Sequence, residues 1–222
     1  MSLSFLGLVS YNNPKEEYSD FDKQQDNTFV KVTAPEIQTD SLSIPLNGFN
    51  IVLNDFSGWI DSQEDDSNSD TIELSMDLIQ DFNDIQFRIL NMDEFDYITV
   101  QQFHENSISI SAEGPHCDLT DWKHFTSKPI TSNYLGNQLF KTKAYDYKNL
   151  KKFPQYTQKE LYKAIENRCG KDWAEATKTI DDNKGLYLGV SISRLFIQIE
   201  GRETKTQKMI KKLIVINVPM GC

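Results

Sequence analysis

The three histidines, His104, His116 and His124, lie within 21 residues of one another. Around the last two, the segment AEGPHCDLTDWKHF also supplies Cys117, Asp118 and Asp121, just after an alternating apolar run. An imidazole near a thiol suits nucleophilic catalysis, because the ring can take the proton that keeps sulfur weakly nucleophilic. His, Cys and Asp together are also transition-metal ligands. His116, Cys117, Asp118 and His124 are therefore the candidate catalytic residues, and a hydrolase or metal-dependent enzyme is one reading of the chain. Two features weigh against it. Neighbouring side chains on extended backbone point to opposite sides, which separates His116 from Cys117. The spacing to His124 also matches no zinc pattern. The preferred reading is a polar loop with a buried thiol and surface imidazoles, holding neither metal nor cofactor.

Other chemical signatures are missing. No GxxxxGK[ST] loop or GxGxxG turn cradles a phosphate, and Gly189, Ser191 and Ser193 fail GxSxG at its last position. The acidic stretch from Asp61 to Asp70 lacks the Gly and the Glu that a twelve-residue calcium loop needs. Lys141, Lys143, Lys148, Lys151 and Lys152 alternate with Phe140, Tyr145, Tyr147, Phe153 and Tyr156. Cations beside aromatic rings suit single-stranded nucleic acid, so binding through the Lys141 to Lys152 region is a further alternative. The overall charge of −10 opposes it.

That charge is divided unevenly. Residues 1–122 hold 24 Asp and Glu against 4 Lys and Arg, whereas residues 123–222 hold 9 against 19. Asymmetry on this scale points to an interaction surface, and the plain alternative is that the halves fold together and neutralise one another. The candidate partner-binding residues are Asp61, Glu64, Asp65, Asp66, Asp70, Glu73, Asp77, Asp81 and Asp84. Asp93, Glu94 and Asp96 extend the same pattern. Gathered on one face, such carboxylates would attract a basic protein and raise its association rate.

The elements that must position these residues are mostly strands. Two apolar runs, LYLGVSISRLFIQI and MIKKLIVINV, occupy Leu186 to Val218 and read as a long hairpin in the centre of a sheet. In the first run the apolar set occupies even positions through Ile192 and odd positions from Leu195, so a bulge is expected near Arg194. The second run is apolar on both faces, as in a covered strand. Asn47-Gly48 between apolar runs predicts a hairpin, with Pro45 confining its strand to an edge. Alternation from Ile72 to Ala112 predicts four strands in an antiparallel meander, broken at Glu105-Asn106. Thr157 and Glu160 form a capping-box pattern ahead of an apolar stripe, and Gly170 is placed to stop that helix. Strands are also expected at Leu3 to Val9 and Thr28 to Thr33.

The expected fold is therefore α+β: predominantly antiparallel β, a meander plus the long C-terminal hairpin, with one helical excursion at about 157–180. A chain of 222 residues can build one core, so a single domain over 1–222 is expected, with a subdivision near 113–134 as the alternative. Cys117, Cys169 and Cys222 are an odd number at wide spacing, which fits a reducing compartment better than a disulfide framework. The apolar N-terminal run lacks a basic leader and a cleavage site, and no apolar segment approaches membrane-spanning length. The expectation is a cytoplasmic, non-enzymatic protein that uses an acidic face to engage or inhibit a basic partner. Nuclease inhibitors and toxin-immunity proteins share this charge logic by analogy.

Overall fold

The computed structural model describes residues 41–61, 69–78, 80–111, 115–178 and 187–220. The strands expected at residues 3–9 and 28–33 lie outside these, as do Glu64, Asp65 and Asp66. The described residues form two sheets and a small helical layer.

The first sheet holds β1 (Ser41–Leu46), β2 (Phe49–Asn54), β5 (Gln86–Ile89), β11 (Leu139–Lys141) and β10 (Asn133–Gly136), in the order β1-β2-β5-β11-β10. β1 and β2 are the hairpin expected around Asn47-Gly48, in register from Leu46 opposite Phe49 to Ser41 opposite Asn54. Gly48 turns at φ +94°, and a Cβ there would meet Ile210 Cδ1 at 2.7 Å, so both backbone and space call for glycine. Pro45 lies on an edge strand, as its missing N–H requires.

The second sheet runs β3 (Gly58–Ile60), β4 (Thr71–Met76), β13 (Met209–Asn217), β12 (Tyr187–Glu203), β6 (Phe95–Ser111) and β7 (His116–Asp118). β8 (Phe125–Thr126) and β9 (Ile130–Thr131) add further short pairings to β6. The C-terminal hairpin is central: β13 is bonded to β12 on one side and, in parallel, to β4 on the other. The expected phase change is a bulge at Ser193, where the pairing steps from Ile192 opposite Asn106 to Arg194 opposite Glu105. The bulge is fastened: Ser193 Oγ lies 2.8 Å from Ser107 Oγ, and the Ser193 carbonyl accepts the Val218 N–H at 2.9 Å.

The two sheets share one apolar core. Ile44, Phe49, Ile51, Leu53, Phe87 and Ile89 enter it from the first sheet, and Leu74, Leu195, Ile197, Ile199, Ile214 and Ile216 from the second. Ile192, Phe196, Ile197, Ile214 and Ile216 are all buried, as both-face apolarity on the hairpin requires.

The four strands expected as one meander are distributed differently. β4 belongs to the second sheet and β5 to the first, and residues 95–111 form one unbroken strand with no turn at Glu105-Asn106. Those polar residues read as a turn but act as fasteners. Asn106 Nδ2 donates to the Asn149 and Lys152 carbonyls at 2.7 and 3.0 Å, and Glu105 Oε2 is 3.6 Å from Arg194.

The helices are α1 (Tyr147–Leu150), α2 (Gln158–Cys169) and α3 (Lys171–Thr177). α2 begins with the expected reciprocal capping box between Thr157 and Glu160 and ends at Gly170, φ +96°. Leu161 and Ile165 of α2 and Ala174 of α3 pack on Ile108, Ile110, Cys117 and Leu119, a second core beside β7. Through it runs a disulfide from Cys117 in β7 to Cys169, the last residue of α2. This corrects the reading of the cysteines as unpaired thiols. β7, bonded to Ser109, Ile110 and Ser111, turns Cys117 inward to meet a residue 52 positions later. Among the described residues no helix is long and apolar enough to cross a membrane.

Candidate functional site

The histidine segment does not assemble into a site. His116 and Cys117 alternate on β7, the imidazole outward and the sulfur inward into the disulfide. Cys117 is thus oxidised and cannot serve as a nucleophile in this state. His116 Nδ1 sits 2.9 Å from Asp118 Oδ2, and Asp118 Oδ1 accepts the Ser109 hydroxyl at 2.6 Å. His124 faces a different carboxylate, Glu105, at 3.6 Å. Among the described residues no group of three or more His, Cys, Asp or Glu could hold a metal ion.

His104 is buried on β6, in the row Gln102, His104, Asn106 that points inward between the two cores. The edge of its ring meets Tyr145, centroids 5.0 Å apart, with Phe125 on another side. Burial pushes its pKa below the usual histidine value and raises that of the Tyr145 phenol, so both stay neutral at physiological pH. Gln102 is well partnered: its amide nitrogen donates to the Lys143 carbonyl, and its oxygen accepts the Lys143 N–H and the Ser132 hydroxyl. This row joins the cores and brings no nucleophile to the imidazole.

The Lys141 to Lys152 region separates its cations from its aromatics. Lys143, Lys148, Lys151 and Lys152 are exposed, while Phe140 is buried and Phe153 and Tyr156 pack against Trp122. Rings turned toward the core in this way form no stacking platform with the lysines.

The carboxylates behave otherwise. Asp61 follows β3 and its N–H bonds to the Glu73 carbonyl, while its side chain accepts from Ser75 Oγ at 2.8 Å and Asn217 Nδ2 at 3.1 Å. Asp77 at the end of β4 donates its N–H to the Ser57 carbonyl, and Ser57 N–H reaches Gln80 Oε1 at 2.7 Å. Gln80 in turn bonds the Asp81 carbonyl. Asp61, Glu73, Asp77 and Asp81 therefore follow one stitched edge, along β3 and β4 and into the loop beyond. Asp70 and Asp84 differ, since Lys212 and Lys141 pair with them at 2.8 and 3.2 Å. Lys212 is buried, and its hydrogen bond and charge hold the Asp70 carboxyl below its usual pKa. No described cation pairs with Asp61, Glu73, Asp77 or Asp81.

No family model, no curated protein and no solved structure matches this chain.

On the same edge stands a residue that sequence reasoning passed over. Trp59, at the middle of β3, is 56% exposed and lies directly opposite Ser75, two residues before Asp61 and one strand from Glu73. Nothing in its flanking sequence separates it from a core tryptophan. Only the outward phase of a three-residue edge strand reveals it.

Proposed function

We propose that the chain is a non-enzymatic binding protein whose acidic β3–β4 edge engages, and blocks, a basic protein. The observation that carries this reading is the exposed Trp59 set among carboxylates that no described cation offsets. Tryptophan is favoured as a binding anchor because it offers a large rigid surface and a π face that attracts arginine or lysine. The surrounding carboxylates supply steering.

The arrangement of the two sheets' charges supports it. α2 and α3, beside β7 at the opposite edge of the sheet from β3, carry Lys159, Lys163, Arg168 and Lys171 against Glu160, Glu166, Asp172 and Glu175, and so are close to neutral. From β4 to β7 is four strand spacings, roughly 19 Å at the usual interstrand distance. That exceeds the Debye length of about 8 Å at physiological salt, so the charges of the helical layer do little to cancel the acidic edge. Contact neutralisation between the halves reaches Asp70, Asp84, Asp96, Glu105 and Asp121. The edge at Asp61 and Glu73 is left negative. The Cys117–Cys169 disulfide favours an oxidising compartment over the cytoplasm expected from the cysteine count.

The test is stopped-flow association with the partner that co-purifies with the native protein. Raising salt should slow association far more than it speeds dissociation, Asp61→Lys with Glu73→Lys should slow association, and Trp59→Ala should speed dissociation. A partner whose rates ignore all three changes would refute the reading.

A further inference from the structure

β6 is flanked by short strands laid end to end along the side away from β12. β7 covers residues 109–111, β8 covers 105–106 and β9 covers 101–102. Beyond β9 the chain leaves this sheet: Ser132 N–H gives a last bond to the Val100 carbonyl at 3.0 Å, and β10 then joins the other sheet. Among the described residues no strand pairs with residues 97–99 on that side. In an antiparallel ladder outward-facing bonding groups recur at every second residue. Val100 and His104 both bond outward here, through Ser132 and Ser127, so the N–H and C=O of Ile98 point the same way.

They point into an open groove of about 440 Å³. One wall continues the inner face of the sheet and is apolar: Ile98, Met92, Tyr134 and Phe140. The other continues the outer face and is polar: Thr99, Gln101, Thr131 and Glu200, where Glu200 is the one charged side chain in the lining. Around the mouth Tyr97, Ile130, Tyr134 and Leu135 are exposed large apolar residues. An unprotected strand edge normally carries lysine or proline, or is covered, and residues 97–100 (Tyr, Ile, Thr, Val) hold neither residue.

We propose that this edge receives an extended peptide of alternating apolar and cationic residues as an added strand. The backbone groups of Ile98 call for another backbone, which selects an extended chain over a compact ligand. A strand laid there turns alternate side chains to opposite faces, so one set meets Tyr134 and Phe140 while the other meets Glu200. The groove has no cation in its lining to oppose lysine or arginine, and Arg202, which stands over the Tyr97 ring at 5.2 Å, is paired with Asp96. The proposal does not rest on the β3–β4 edge, which lies three strands away across β13 and β12.

The probe is a fluorescently labelled heptapeptide of alternating lysine and valine with both ends blocked, titrated by anisotropy into the full chain. Two N-methylated versions, each blocking one alternate set of peptide nitrogens, separate strand addition from charge attraction. Strand addition predicts at least a tenfold loss for one methylated set and little change for the other. Tyr134→Ala and Glu200→Gln should each weaken the peptide several-fold, while a glutamate-for-lysine peptide should not bind. Asp61→Lys with Glu73→Lys should leave affinity unchanged, so failure here is distinguishable from failure at the other edge. Equal binding of both methylated peptides, or no binding of the parent, would overturn the proposal. So would a dimer dissociated by Tyr134→Ala, which would assign the edge to a second copy.

Discussion

Removing the Cys117–Cys169 disulfide tests how the helical layer is held to the sheets. The perturbation is Cys117→Ala with Cys169→Ala; alanine is chosen because Cys117 is only 2% exposed and serine would bury a hydroxyl among apolar groups. The bridge spans 52 positions, and the loop-closure relation for a cross-link of that span gives about 4 kcal/mol at 25 °C from restriction of the unfolded chain. Loss of sulfur packing against Ile108, Ile110 and Leu161 adds to this in the same direction. For a protein of this size each kcal/mol moves Tm by about 2–4 °C, so the variant should melt about 8–16 °C lower. Scanning calorimetry of oxidised wild type, reduced wild type and the double variant is the assay, with intact mass confirming the two-hydrogen difference on reduction. Reduced wild type should fall with the variant. If all three melt within about 2 °C of one another, the cross-link does not restrain the unfolded chain and the argument fails.

Three shorter expectations accompany it. Ile214→Ala, at a fully buried position on the central strand, should cost about 2–5 kcal/mol by urea denaturation with an unchanged m-value. Thr157→Ala should cost about 1 kcal/mol through loss of the α2 cap, read from the same denaturation curves. Glu160 has its pKa depressed to about 2 from 4.5, first by its hydrogen bond from Lys123 and then by those from Thr157. Its contribution is therefore present above the unfolded value and is lost as pH falls toward 2; Glu160→Gln should lower stability near neutrality and flatten the profile as pH falls from about 4.5 toward 2, so that variant and wild type converge at low pH.

Much of the strand architecture was legible because its causes are local. Apolar phase along β12 shifts at Ser193 because a bulge adds one residue, and the capping box of α2 is written in four consecutive residues. The assignment of β4 and β5 to different sheets is a long-range choice that alternation does not encode. The sequence of β6 reads as two strands because polar Glu105-Asn106 interrupts the alternation, within an inward row that runs from Val100 through Gln102, His104 and Asn106 to Ile108. A buried polar row imitates a turn until its distant partners, Lys143 for Gln102 and Asn149 for Asn106, are known. The candidate carboxylates divided for the same reason. Asp70 and Asp84 meet lysines 142 and 57 positions away, while Asp61, Glu73, Asp77 and Asp81 do not. Partners that distant leave no mark in the neighbouring sequence.

The acidic edge stands on a rigid frame. β6 and β12 each run through 17 residues, and both supply the sandwich core and the core beneath the helices. Bonded to each other along almost their whole length, they form one stiff beam with the acidic edge on one side and the near-neutral helical layer on the other. The disulfide fixes the helical layer to one side of that beam, and β13 fixes β4 to the other. On the proposed reading, the carboxylates of β3 and β4 draw a basic partner in and orient it toward Trp59. Such orientation raises the association rate without any conformational change in the chain. Steering of this kind weakens with salt even where Trp59 packing, and so the dissociation rate, does not.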